Sequence, residues 1–149
     1  MPNWKTPLEK ITVGTGRKVS AGENLAILTL GHVGNFAVQA KEELEAEGLN
    51  PSIYDMRFVK PLDEKLLHEI FQNHDFLLTV EDGCLMGGFG SAILEFMADN
   101  NYTSKMVRLG IPDEIIEHGE QSELHAECGY DKAAIAAAVR KMLVTTAHV

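Results

Sequence analysis

The sequence predicts an α/β fold, a three-layer sandwich on a mostly parallel five-stranded sheet with an antiparallel edge strand. Three observations carry that expectation. Short apolar runs recur along the chain, and most are followed by a segment whose apolar residues repeat at helical spacing. One of these runs, Leu25-Ala26-Ile27-Leu28-Thr29-Leu30, is apolar almost throughout, as in a strand covered on both faces. The 149 residues are enough for one domain with its own core, without disulfides or metals. Strand and helix alternating at this spacing favour a parallel sheet, because each crossover helix must pack back on it.

Taken in order, residues 1–10 carry Pro2 and Pro7 with little periodicity and read as a linker or tail. The domain is expected over 11–144, with 145–149 as a second tail. Ile11 to Val19 alternates β-branched residues with Gly14 and Gly16 and reads as a short edge strand, followed by turn residues from Ser20 to Asn24. Leu25 to Leu30 is the central strand, ended by Gly31. From Val33 the stripe Val33, Phe36, Ala37, Ala40 and Leu44 predicts a helix stopped by Gly48, with Lys41, Glu42, Glu43 and Glu45 facing water. Pro51 to Met56 reads as the next strand. Pro61 and Asp63 then open a helix with the stripe Leu66, Leu67, Ile70 and Phe71. Phe76 to Val80 is a strand whose helix contains Ala92 to Met97, and Met106 to Leu109 is a strand closed by Gly110. Asp131 caps a last helix through Ile135, Ala138, Val139, Met142 and Leu143.

Charge excludes some function classes. Thirteen Lys and Arg against 22 Asp and Glu give a formal charge of -9, which repels nucleic acid and anionic membrane surfaces. No nucleic-acid or membrane partner is expected, since no run approaches the roughly 18 apolar residues of a membrane span. The N-terminus shows no signal-peptide core. Cys84 and Cys128 fit neither a metal knuckle nor a disulfide framework, which favours a reducing, cytoplasmic setting.

The stretch Phe76 to Ser91 is the expected functional locus, because ligands and partner domains meet α/β sheets beyond the carboxyl ends of strands. Gly87-Gly88-Phe89-Gly90-Ser91 at a helix start could cradle an anion, but it matches no phosphate-loop pattern and stands beside Glu81 and Asp82. Close backbone packing is the favoured role. Glu81 and Asp82, adjacent on a strand, point to opposite faces and make a poor acid/base pair; one of them bonding the following loop is the simpler expectation. Glu81-Asp82-Gly83 followed by Asn100-Asn101 fails as a thiamine diphosphate motif in its first residue and in its spacing. His118, His125 and Cys128 lie close in sequence but offer no fourth ligand, so no metal site is expected from them. No nucleophile, base and oxyanion hole assemble.

Three segments together resemble a known family. They are Tyr54-Asp55-Met56-Arg57-Phe58-Val59-Lys60-Pro61-Leu62-Asp63-Glu64; Val80-Glu81-Asp82-Gly83 with Met86-Gly87-Gly88-Phe89-Gly90-Ser91; and Leu109-Gly110-Ile111-Pro112-Asp113 with His118-Gly119. Thr6-Pro7-Leu8-Glu9-Lys10-Ile11 also fits. They are similar to the C-terminal domain of the transketolase superfamily, and Arg57 to Asp63 points within it to the 1-deoxy-D-xylulose-5-phosphate synthases. The resemblance implies a full-length homodimeric enzyme that uses thiamine diphosphate and Mg2+ to join a two-carbon unit from pyruvate to glyceraldehyde 3-phosphate. The product feeds isoprenoid, thiamine and pyridoxal synthesis. It implies further that catalytic and cofactor residues belong to upstream thiamine-binding domains. None is expected in this chain, nor any cofactor bound to it, and the chain alone is expected to be an inactive scaffold. Glu81, Asp82, Gly87, Gly88, Gly90 and His118 are the candidate domain-interface residues. Two other readings stay open: the C-terminal domain of a transketolase or a 2-oxoacid dehydrogenase β subunit, and a stand-alone binding or dimerisation module.

Overall fold

The structure is a computed structural model that describes residues 9–144. The linker expected over 1–10 lies mostly, and the tail at 145–149 wholly, outside the described residues. The elements run β1 (Arg17–Ser20), β2 (Leu25–Leu30), a 3-10 turn (Gly31–Val33), α1 (Gly34–Glu45), β3 (Ser52–Asp55), α2 (Glu64–Asn73), β4 (Phe76–Cys84), α3 (Phe89–Asp99), β5 (Lys105–Ile111), α4 (Gln121–Glu127) and α5 (Lys132–Val144). The sheet order is β1-β3-β2-β4-β5. β1 pairs antiparallel with β3, and every other pairing is parallel. The expected architecture is therefore the observed one. Among the described residues no helix is long and apolar enough to cross a membrane.

Alternation along the strands divides the core in two. Leu25 and Ile27 of β2 and Leu78 and Val80 of β4 pack with Ala37, Ala40 and Leu44 of α1 and Ile135 and Val139 of α5. Ala26 and Leu28, with Leu77, face the other way onto Leu67, Ile70 and Phe71 of α2 and Phe89, Ile93 and Phe96 of α3. The caps follow the sequence: the Leu66 amide donates to Asp63 Oδ1 (3.0 Å) at the start of α2, and the Ala134 amide to Asp131 Oδ1 (2.8 Å) at the start of α5.

Four local expectations are corrected. The edge strand does not begin at Ile11; the chain turns at Gly14 (φ +78°), and the Gly16 amide is tied to Asp63 Oδ2 at 2.9 Å, so pairing starts only at Arg17. β4 does not end at Val80 but continues through Cys84. α4 was not expected, because seven residues with one partly covered leucine carry too little periodicity. Lys41 does not face water. It occupies the buried side of α1, 6% exposed, and its ammonium donates to the Ala21 carbonyl and, at 2.9 Å, to the Pro51 carbonyl. Its aliphatic stem is buried while its charge satisfies the backbone of two loops. On the opposite, wet side, Arg140 of α5 pairs with Glu43 of α1 and with Glu47 in the turn just after it (2.9 and 2.6 Å).

Lys41→Met keeps the stem and abandons two buried carbonyls, so it is expected to cost about 2–4 kcal/mol in urea denaturation. A change under about 0.5 kcal/mol would show that water replaces the ammonium.

Candidate functional site

The carboxyl ends of β2, β4 and β5 and the loops after them form one surface. β4 and β5 run in register to Val80 opposite Leu109, then slip, so that Cys84 faces Ile111. The irregular residues are Glu81, Asp82 and Gly83, opposite Gly110. Such a bulge re-aims side chains at the end of a strand, and here it sends the two carboxylates apart.

Glu81 turns toward α3. Its carboxylate accepts from the Phe89 amide (2.7 Å) and the Gly90 amide (2.8 Å), and it is 3% exposed. These are two of the amides that a helix start leaves without an intrahelical partner, and a carboxylate there also complements the helix dipole. The glycines follow from this arrangement. A Cβ on Gly88 would fall on the Glu81 carboxylate and the Cys84 carbonyl, and one on Gly110 would sit 2.9 Å from Glu81 Cγ. A Cβ on Gly90 would meet Thr79 Oγ1 at 2.7 Å and Arg108 Cδ at 2.8 Å. Gly87, with φ +74°, is exposed and makes the left-handed turn between strand and helix.

Arg108 on β5 and Ser91 on α3 close the loop. Arg108 Nη1 donates to the Leu85 carbonyl (2.6 Å) and Ser91 Oγ (2.9 Å); Ser91 Oγ in turn donates to the Leu85 carbonyl and accepts from the Gly87 amide. Ser91 lies in the glycine segment that the sequence marks as the functional locus, whereas Arg108 was not a sequence candidate for function. The signal for Arg108 was weak, since an arginine in a strand reads as an edge charge.

Asp82 turns the other way. Its Oδ1 accepts from Tyr130 Oη at 2.7 Å, and its Oδ2 lies 3.6 Å from Nδ1 of His32 in the 3-10 turn after β2. Burial first, then the Asp82 carboxylate, raises the Tyr130 phenol well above the usual range. Burial likewise pushes the Cys128 thiol up, aided by the carboxylates of Glu127, Glu114 and Asp82. His125 of α4 is buried, with His32, Phe36 and Tyr130 packed around its ring. A cavity of about 440 Å³ opens beside them, lined by Asp82, His118, His125, Cys128 and Tyr130 among others. His118 itself is exposed.

The structure thus places Glu81, Gly88 and Gly90 in one buried cap, Gly87 at its turn, and Asp82 and His118 at the neighbouring cavity. It does not join His118, His125 and Cys128 into a ligand set; His125 meets His32 and Asp82 instead. Exposed Met86 and Ile115 stand on the loops after β4 and β5. The surface offers apolar contact, and the amides that could hold an anion at α3 are already taken by Glu81.

The sequence profile of "Transketolase, C-terminal domain" matches residues 14–135. A 1-deoxy-D-xylulose-5-phosphate synthase of Cytophaga hutchinsonii is 62% identical over 142 residues, 95% of this chain and 22% of that protein. The synthase of Bacteroides fragilis is 47% identical over 140 residues, 93% of this chain and again 22% of its own length. The chain therefore spans about a fifth of the curated relatives it matches. Among solved structures, a chain described as "Split gene transketolase, inactive beta4 tetramer" superposes with a TM-score of 0.86 at 29% identity, covering 96% of this chain and 46% of that one.

Two substitutions test the cap. Glu81→Ala is expected to destabilise the fold by about 2–4 kcal/mol through the two orphaned amides, and Gly88→Ala by displacing the same carboxylate. Because both act on one contact, the double variant should fall short of the sum by more than about 0.5 kcal/mol. Additive losses in denaturation would refute a shared contact.

Proposed function

The chain belongs to the transketolase C-terminal domain family, and from that membership we propose that it is the C-terminal domain of a 1-deoxy-D-xylulose-5-phosphate synthase. The observation that carries this reading is the 62% identity to the Cytophaga hutchinsonii synthase across 95% of the chain. The whole enzyme condenses pyruvate with glyceraldehyde 3-phosphate, in the cytoplasm, as a homodimer. This domain contributes the surface on which the upstream thiamine-binding domains rest.

The described residues do not fit thiamine diphosphate. The helix-start amides of Phe89 and Gly90 are filled by Glu81. Asn100 caps the far end of the 11-residue α3, about 16 Å of helix from the β4–α3 loop, and its Nδ2 donates to the Phe96 carbonyl, while Asp82 on β4 turns away from α3 toward Tyr130 and His32. They cannot converge on one ion. The cofactor and its Mg2+ belong to the upstream domains, and the domain's part in the reaction is to hold shape. Asp82, Gly87 and His118 present the strand-end loops to those domains, with Met86 and Ile115 as apolar contacts; Glu81, Gly88 and Gly90 keep the loops in place from beneath.

The purified 149-residue chain is expected to form no 1-deoxy-D-xylulose 5-phosphate from pyruvate and glyceraldehyde 3-phosphate when supplied with thiamine diphosphate and Mg2+. Fused behind the thiamine-binding domains of the Cytophaga hutchinsonii synthase in place of that enzyme's own C-terminal domain, it is expected to support turnover. Activity of the chain alone, or a dead fusion whose parent is active and whose fold is intact, would overturn the assignment.

A further inference from the structure

Three potential metal donors converge at the rim of the cavity beside α4. His32 comes from the turn after β2, Asp82 from the bulge of β4 and His125 from α4, and one ligand atom of each lies within 4.8 Å of the other two. His32 Nδ1 and Asp82 Oδ2 are 3.6 Å apart. Donors on a tetrahedral zinc ion, at about 2.0–2.1 Å from the metal, stand about 3.3 Å from one another. The set is therefore slightly open, and it can close because its members differ in freedom. His125 is 7% exposed and packed against Phe36 and Tyr130, whereas the His32 side chain is half-exposed, with Phe36 and His125 against its ring.

The surroundings suit a cation. Asp82 Oδ1 is held by the Tyr130 hydroxyl, which leaves Oδ2 aimed at the histidines. An outer hydrogen bond of this kind orients a ligating carboxylate and raises affinity. Among the described residues, neither His32 nor His125 uses a ring nitrogen in a hydrogen bond with another group, the approach of His32 to Asp82 aside. No lysine or arginine lines the neighbouring cavity, while Glu117 does.

We propose that His32, Asp82 and His125 bind one first-row divalent transition-metal ion of the zinc type, with a coordination position left open toward the cavity. Two imidazoles and one carboxylate suit zinc, cobalt or nickel and disfavour the all-oxygen preference of Mg2+. The ion would tie α4 to the ends of β2 and β4 and so brace the irregular segment 112–120. This site shares Asp82 with the domain-facing surface proposed above, but metal binding by this chain does not depend on the synthase assignment.

Isothermal titration of ZnCl2 into the tag-free chain, with Co2+ absorption as a second readout, tests the site. One ion per chain is expected, with tetrahedral-type Co2+ bands, a raised melting temperature and no response to MgCl2. His32→Gln, which alters only a half-exposed side chain, and Asp82→Asn should each weaken binding tenfold or more; Tyr130→Phe should weaken it about tenfold. Cys128→Ser should bind as the parent does. Absence of saturable zinc binding would overturn the proposal. So would binding that survives His32→Gln but is lost in Cys128→Ser or Cys84→Ser, because the thiols would then be the ligands.

Discussion

The arrangement at the functional end of this domain depends on one buried carboxylate. Glu81 accepts from two amides at the start of α3 and lies against positions where only glycine leaves room. A buried charge is tolerated only when it is paired or hydrogen-bonded, and these two bonds, with the helix dipole behind them, meet that condition. The path of the chain from β4 to α3 follows: strand, bulge, left-handed turn at Gly87, helix. Arg108 and Ser91 hold the outer half of the loop, so strand β5 and helix α3 are joined through the same few atoms.

The bulge gives Asp82 the opposite direction and the opposite setting. It is more exposed than Glu81, is bonded to Tyr130 and looks toward His32. Two adjacent acids thus divide the work: Glu81 is consumed in keeping the loop rigid, and Asp82 stays available at the surface. A domain that presents loops to its neighbours needs both kinds. The loops must be fixed from below, since ordering them at assembly would cost conformational entropy.

Much of this was legible in the sequence for simple reasons. The apolar run Leu25 to Leu30 has one structural explanation, and the capping aspartates Asp63 and Asp131 stand where helices begin. That Glu81 and Asp82 would point apart was expected from strand alternation, although the bulge that sets their final directions was not. What escaped detection depends on contacts distant in sequence. Lys41 reads as surface charge until the carbonyls of Ala21 and Pro51 arrive beside it. The pairing of His32 with His125 joins residues from two separate elements, and proximity in sequence instead suggested His118 and Cys128 as its companions. Arg108 gains its role only once β5 lies next to β4.

The most direct measurement is native-state amide hydrogen exchange at Phe89 and Gly90. As the first residues of α3, neither amide has an intrahelical acceptor, so protection there must come from outside the helix. In the parent chain both amides should exchange about a hundredfold or more slowly relative to an unstructured peptide, and Glu81→Gln should release at least one of them. Fast exchange at both positions in the parent would contradict the central role given to Glu81.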